Sequence, residues 1–153
     1  MEIFNGGWEE MERAVARCRR CRLCEGRANP AFGEGSRNAV AMLVGEGPGR
    51  EEDLQGRPFV GPAGQLLDRM LAAIGMPRDE LYITNVVKCR PPGNRNPADD
   101  EAEACLPYLR RQFALVRPRI LVCLGAVAAR YLYDPYVRIS RDRGRWRERS
   151  GTM

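Results

Sequence analysis

Three apolar, strand-sized runs separated by amphipathic helical stretches predict an α/β protein, a three-layer αβα sandwich around a short central parallel sheet. Two features of the runs support this. "AVAMLVG" (39–45) and "RILVCLG" (119–125) are continuously apolar rather than alternating, as strands covered on both faces are. Each closes on glycine before the chain moves toward a helical pattern, the order that builds parallel sheets by right-handed crossovers.

Taken along the chain, "WEEMERAVARC" (8–18) repeats apolar residues at three and four and predicts a helix. The run 39–45 predicts the first buried strand, ending in a glycine-rich turn. "AGQLLDRMLAAIGM" (63–76) predicts an amphipathic helix stopped by Gly75 and Pro77. "LYITNVV" (81–87), rich in β-branched residues, predicts the second strand. A helix is expected over 97–116, with Asn96 as its cap, Pro97 in its first turn, and "ADDEAEAC" placing acids where a helix N-terminus favours them. Pro107 should kink or divide it. "RILVCLG" predicts the third strand and "AVAARYLY" (126–133) a short helix. Beyond Tyr136 the chain reads as the start of one more strand. No repeat or low-complexity linker interrupts the 153 residues, which are expected to form one domain.

Composition excludes several classes. Hydrophobic residues make up 44% of the chain, too many for a disordered or fibrous protein. No apolar run has the length of a membrane span, and the polar, acidic start "MEIFNGGWEEMER" has no signal or transit pattern. A cytoplasmic protein without a membrane partner is expected, its cysteines serving a metal or a redox role rather than disulfides. The net charge of +5 comes almost wholly from arginine, with Lys88 the single lysine and no histidine at all. "RISRDRGRWRER" (138–149) sets six arginines against Asp142 and Glu148. Guanidinium forks suit phosphate oxygens, so the excess points to nucleic acid. Arginine-biased codon usage accounts for the same composition equally well.

Of six cysteines, three crowd into "CRRCRLC" (18–24) and three stand apart, at Cys89, Cys105 and Cys123. A tetrahedral zinc or a cubic iron–sulfur cluster needs four thiolates. Cys18 and Cys21 form a C-x2-C pair able to converge on one site, while Cys24 is either a ligand or a bystander. Cys89 follows the second strand in "VVKCRPPGNRNP", a loop stiffened by Pro91, Pro92 and Gly93. Cys105 lies in the helical segment after that loop, so the two can meet despite their separation. Cys123, between Val122 and Leu124, reads as a small buried hydrophobe. Spacing alone leaves two readings, a site from Cys18, Cys21, Cys89 and Cys105, or six unrelated buried cysteines.

Four motifs, "FGEG" (32–35), "VGEGPGREEDLQGRPFVGPAGQLLDRML" (44–71), "YITNVVKCRPPGNRNP" (82–97) and "LGAVAAR" (124–130), closely resemble in kind and order the thermophile-type, iron–sulfur uracil-DNA glycosylases, often called family 4. The resemblance runs from about Cys18 to the end of the chain. It implies an enzyme that flips uracil out of single- or double-stranded DNA and hydrolyses its N-glycosidic bond, acting as a monomer in base excision repair. It implies a [4Fe–4S] cluster on Cys18, Cys21, Cys89 and Cys105, with Cys24 a bystander. Such a site carries about −2 of charge, for which Arg19, Arg20, Arg22 and Arg90 are the expected balance. It also implies that uracil stacks on Phe59, meets the carboxamide of Asn85, and is lined by Gly45, Glu46 and Gly47, whose amides can face an oxygen of the leaving base. Glu46 is the candidate to orient or activate water; other glycosylases carry an aspartate in this loop, and none stands at that place here.

The residues suit that chemistry. Asn85 ends a predicted parallel strand, where α/β sheets bind their ligands. Its carboxamide can donate to uracil O4 and accept from N3–H. Cytosine reverses both, leaving unpaired groups at about 1–3 kcal/mol apiece. Outside the motifs, Phe59 would read as a core residue and Asn85 as a strand-end turn. "GEGPG" (45–49) is no Walker A loop, since its lysine and hydroxyl residue are absent. The family's histidine-proline motif, which follows a further strand, has no counterpart before the chain stops, so a fragment or truncated product is expected. Three rival classes stand beside this one. They are a uracil-DNA binding protein without turnover, whose basic histidine-containing insert is missing here, an iron–sulfur electron-transfer protein, and a zinc-bound structural protein.

Overall fold

The structure is a computed structural model that describes residues 4–148. Four strands, β1 (Glu34–Gly35), β2 (Ala41–Gly45), β3 (Tyr82–Asn85) and β4 (Ile120–Cys123), form one open sheet in the order β1-β3-β2-β4. β2 is parallel to both neighbours, with Leu43 level with Ile83 and Val122, whereas β1 runs antiparallel to β3. The helices among the described residues are α1 (Trp8–Ala16), α2 (Leu23–Gly26), α3 (Arg50–Gln55), α4 (Pro62–Ala73), α5 (Asp99–Val116), α6 (Ala126–Leu132) and α7 (Ile139–Asp142).

The three expected strands are present, each shorter than its apolar run. β1 was not foreseen, because a glutamate and a glycine carry no strand signal. A Cβ on Gly35 would collide with the Leu81 carbonyl, so only glycine lets this edge approach β3. The sheet is therefore mostly, not wholly, parallel.

Alternating side chains divide the core between two faces. Ala41, Leu43 and Ile83 pack with Leu67 and Leu71 of α4. Met42, Val44 and Tyr82 pack with Ala102, Leu106 and Leu109 of α5 and Ala128 of α6. Outside α5 lies α1, whose Met11 and Val15 bury against Tyr108. These are the three expected layers.

Several local expectations are corrected. α1 ends at Ala16, which puts Cys18 in the turn beyond it. α5 starts at Asp99 after an extended Ala98, and the Glu101 carboxylate caps it by accepting the Ala98 N–H at 2.8 Å, with Asn96 playing no such part. α5 continues through Pro107, which is buried with Leu106, Tyr108 and Leu109; packing of this face outweighs the one hydrogen bond the ring removes. No strand forms after Tyr136 among the described residues. α7 forms instead, its Asp142 accepting the Arg138 N–H at 2.9 Å. Val137, Ile139 and Trp146 line a groove with Leu121 and Cys123 beside the edge strand β4. Cys123 is accordingly half-buried rather than a core residue. Arg138, Arg141, Arg143, Arg145 and Arg147 of the basic run are exposed, and Arg149 lies outside the described residues. No helix among the described residues is long and apolar enough to cross a membrane.

Candidate functional site

Gly45 and Asn85 end adjacent parallel strands in register. Their pairing continues past the sheet, Val86 N–H donating to Gly45 O at 2.9 Å and Val87 N–H to Glu46 O at 3.1 Å. Beyond these ends opens a recess lined by Glu46, Gly47, Phe59, Asn85, Pro91 and Arg95, among others. Gly45 is its floor. A Cβ there would lie 2.4 Å from Phe59 Cζ and 2.5 Å from Asn85 Oδ1, so only a missing side chain lets ring and amide share the space. The structure thus brings together Gly45, Glu46, Gly47, Phe59 and Asn85.

Phe59 is held in a left-handed conformation, φ 53°, that a bulky residue keeps only under constraint. The constraint is visible. Gly64 of α4 lies so close behind that a Cβ would strike the Phe59 carbonyl. The Arg78 guanidinium donates to Phe59 O at 2.8 Å and to Pro58 O, and pairs with Glu34 at 2.7 Å and Asp68 at 2.9 Å. Burial pushes the Glu34 carboxyl up, but hydrogen bonds from Arg57 and Arg78 outweigh it and hold the group below its ordinary range.

Glu52, which the sequence reading passed over in the acidic run 51–53, clamps the same loops. Its buried carboxylate accepts the N–H groups of Gly49 at 3.1 Å, Val60 at 2.9 Å and Gly61 at 2.7 Å. With these amides occupying it, Glu52 is engaged structurally, and Glu51 is exposed. Glu46 is the half-buried acid of the recess, and burial pushes its carboxyl up.

Behind Asn85 lies a buried polar network. Lys88, 1% exposed, donates to Asn85 O at 2.8 Å, Thr84 Oγ1 at 2.6 Å and Gln112 Oε1 at 2.7 Å. The amide of Gln112 donates in turn to Phe32 O and to Tyr82 Oη. Desolvation pushes the Lys88 ammonium down to about 8, opposed by the neighbouring Cys105 and Cys89.

A second recess is lined by Cys18, Cys21, Cys24, Cys89 and Cys105, together with Arg20, Arg27, Lys88 and Tyr108. The four cysteines singled out by spacing do converge, although Cys24 stands with them. Arg27 donates to Cys89 Sγ at 3.0 Å and to Ala16 O at 2.9 Å. Burial pushes the thiols of Cys21 and Cys89 up, and that of Cys105 to about 12. Among the described residues no three His, Cys, Asp or Glu side chains are placed to hold a single metal ion. Of the arginines expected to balance charge here, Arg20 lines the recess, while Arg22 and Arg90 are engaged elsewhere. Arg22 pairs with Glu101 at 2.7 Å and reaches Asp100, Arg90 donates to Asn94 Oδ1, and Arg20 lies over the Tyr108 ring. The segment from Cys89 to Arg95 joins the recesses, Cys89 lining one and Pro91, Asn94 and Arg95 the other.

Residues 32–152 match the model of the uracil DNA glycosylase superfamily. The type-4 uracil-DNA glycosylase of Archaeoglobus fulgidus is 46% identical over 90% of this chain and 71% of its own length. The type-4 uracil-DNA glycosylase of Sulfurisphaera tokodaii is 49% identical over 82% of this chain and 58% of its own. That of Thermotoga maritima is 44% identical over 89% and 71% respectively. The chain thus spans between about three-fifths and seven-tenths of these relatives.

Proposed function

The chain belongs to the uracil DNA glycosylase superfamily, with the type-4 enzymes as its relatives, and from that premise we propose that it removes uracil from DNA. The uracil would be flipped out of the strand and its N-glycosidic bond hydrolysed, leaving an abasic site for repair. One observation carries the reading: the missing side chain of Gly45 lets the Phe59 ring and the Asn85 carboxamide stand side by side on one recess, at the carboxyl ends of two parallel strands.

A planar base entering that recess would stack on Phe59 and meet Asn85 edge-on. Asn85 Nδ2 donates to O4 and Oδ1 accepts from N3–H, a pattern cytosine cannot satisfy. As the bond between N1 and the sugar C1′ breaks, its electron pair leaves with the base, and water adds to C1′ and gives up a proton. Glu46 is the acceptor we assign to that proton. Its desolvated carboxylate is a stronger base than an exposed one, while Glu52 is taken up by backbone amides. The DNA strand, single or double, would be held through exposed arginines.

We assign Cys18, Cys21, Cys89 and Cys105 to a [4Fe–4S] cluster. The donor set fits: thiols from three separate segments surround one recess, and each iron takes one thiolate, so no single-ion constellation is required. Burial pushes the thiols of Cys21, Cys89 and Cys105 up, and a cationic iron core would supply the charge that ionises them. Bound there, the cluster would cross-link the segments; the hydrolysis is left to the pocket residues.

The test is single-turnover kinetics of Asn85→Asp on oligonucleotides carrying one uracil or the matching cytosine. A carboxylate cannot donate to O4, so excision of uracil should fall by about 10²-fold and the uracil preference should shrink. An unchanged rate and preference would remove Asn85 from base reading.

A further inference from the structure

Lys88 is the chain's single lysine, and it is buried where a cation is costly. Its three donors are all used, yet each acceptor is neutral: a hydroxyl, a backbone carbonyl and a carboxamide. No carboxylate pairs with it among the described residues. Arg27 is similar. Its guanidinium bonds a thiol sulfur and a backbone carbonyl, with no acid in the pair. Buried or half-buried cations are normally matched by anions, so two unmatched ones on a single recess imply an anionic occupant.

Both border the same group of sulfurs. Arg27 touches Cys89 Sγ directly, and Lys88, the residue before Cys89, lines the recess with Cys105. Four thiolates around a 2+ iron core leave about −2, which two cations would match. Lys88 has a second attachment that Arg27 lacks, since its Nζ also bonds the backbone carbonyl of Asn85 at 2.8 Å.

We propose that Lys88 and Arg27 are the internal counter-charges of the four-thiolate site, and that Lys88 through its bond to Asn85 O is the positioning residue that anchors the base-reading strand end to that site. This rests on the iron–sulfur reading above. Of the flanking arginines expected in this role, Arg22 and Arg90 are engaged elsewhere, and Arg20, which lines the recess, lies over the Tyr108 ring. The lone lysine thereby has a reason to be where it is: without an anion beside it, methionine would fill the volume at lower cost.

Arg27→Met, Arg27→Lys and Lys88→Met proteins, prepared without air, are compared with wild type in three respects. These are iron and sulfide per chain, the cluster's midpoint potential, and its bleaching rate under excess chelator. A nearby positive charge stabilises the more negative, reduced cluster. Arg27→Met and Lys88→Met should therefore shift the potential to more negative values and bleach several-fold faster, while Arg27→Lys stays close to wild type. Of these three, only Lys88→Met should also weaken binding of free uracil to the loaded protein. Should Lys88→Met fail to fold, the Arg27 pair still decides the charge assignment, and Lys88→Arg, which keeps the charge, should fold and bind uracil weakly through a displaced Asn85. Loaded variants with wild-type potential and bleaching overturn the counter-charge assignment, and wild-type uracil binding in the Lys88 variants overturns the positioning role. A wild-type protein lacking iron and sulfide instead overturns the cluster reading itself.

Discussion

Replacing Gly45 by alanine puts a Cβ 2.4 Å from the Phe59 ring and 2.5 Å from Asn85 Oδ1. Neither neighbour can retreat freely: Phe59 is pinned through its carbonyl by Arg78, and Asn85 sits on a fully buried strand. Gly45→Ala should therefore push the ring or the amide out of place at the recess, lowering uracil affinity and single-turnover excision by at least about tenfold. The strain of overpacking adds about 1–3 kcal/mol of destabilisation. Isothermal titration with free uracil and urea melts check the two halves. Undiminished uracil binding would mean the base sits elsewhere. These pocket residues were legible only through their motifs. A glycine, an asparagine and a phenylalanine have ordinary structural roles, and what distinguishes them is a spatial meeting of positions 45, 59 and 85. Glu52 was not legible at all, because nothing in "REEDLQ" marks which acid turns inward to three amides.

Between elements, Glu101 does the comparable work. Fully buried at the start of α5, it takes Arg95 in a two-pronged pair at 2.7 and 2.8 Å, Arg22 from the cysteine loop at 2.7 Å, and the Ala98 N–H. The Arg95 hydrogen bonds, helped by Arg22, hold its carboxyl well below the ordinary 4.5, at about 2. A carboxyl depressed on folding stabilises the native state above its unfolded value, and that contribution fades as pH falls through the folded one. Wild type should thus exceed Glu101→Gln in stability by about 1–3 kcal/mol at neutral pH. The gap should close between about pH 4.5 and pH 2, as urea melts of both proteins would record. A gap independent of pH would show that Glu101 acts by shape alone. The elements themselves were largely legible, since 41–45 and 120–123 lie in apolar runs, 82–85 lies in a stretch rich in β-branched residues, and helix periodicity marks α1, α4 and α5. The misses have local causes. β1 depends on a glycine approaching Leu81, α3 is six residues in a glycine-rich context, and α5 tolerates Pro107 because its flank is buried.

Over the whole molecule, the cysteines join parts that secondary structure leaves independent: the turn after α1, the loop after β3 and the middle of α5. Hydrophobic packing holds α1 on α5 through Met11, Val15 and Tyr108, but residues 17–28 between them contribute little core beyond Leu23. A group bound by all four thiols closes long loops and so should add stability far beyond its size. Purified protein is expected to hold about four irons and four sulfides. Alanine at Cys18, Cys21, Cys89 or Cys105 should bleach it, while Cys24→Ala and Cys123→Ala keep the colour. Cys24 makes this a sharp test, because it lines the same recess, and only the ligand assignment, not proximity, separates it from the others. Stripping the cluster by chelation should lower the melting temperature, expose 17–28 to proteases, and then weaken uracil binding, since the segment from Cys89 leads directly to Pro91 and Arg95 in the base recess. Colour lost in Cys24→Ala but kept in Cys89→Ala would redraw the ligand set. An unaltered melting temperature after complete iron removal would show that packing alone holds these segments together.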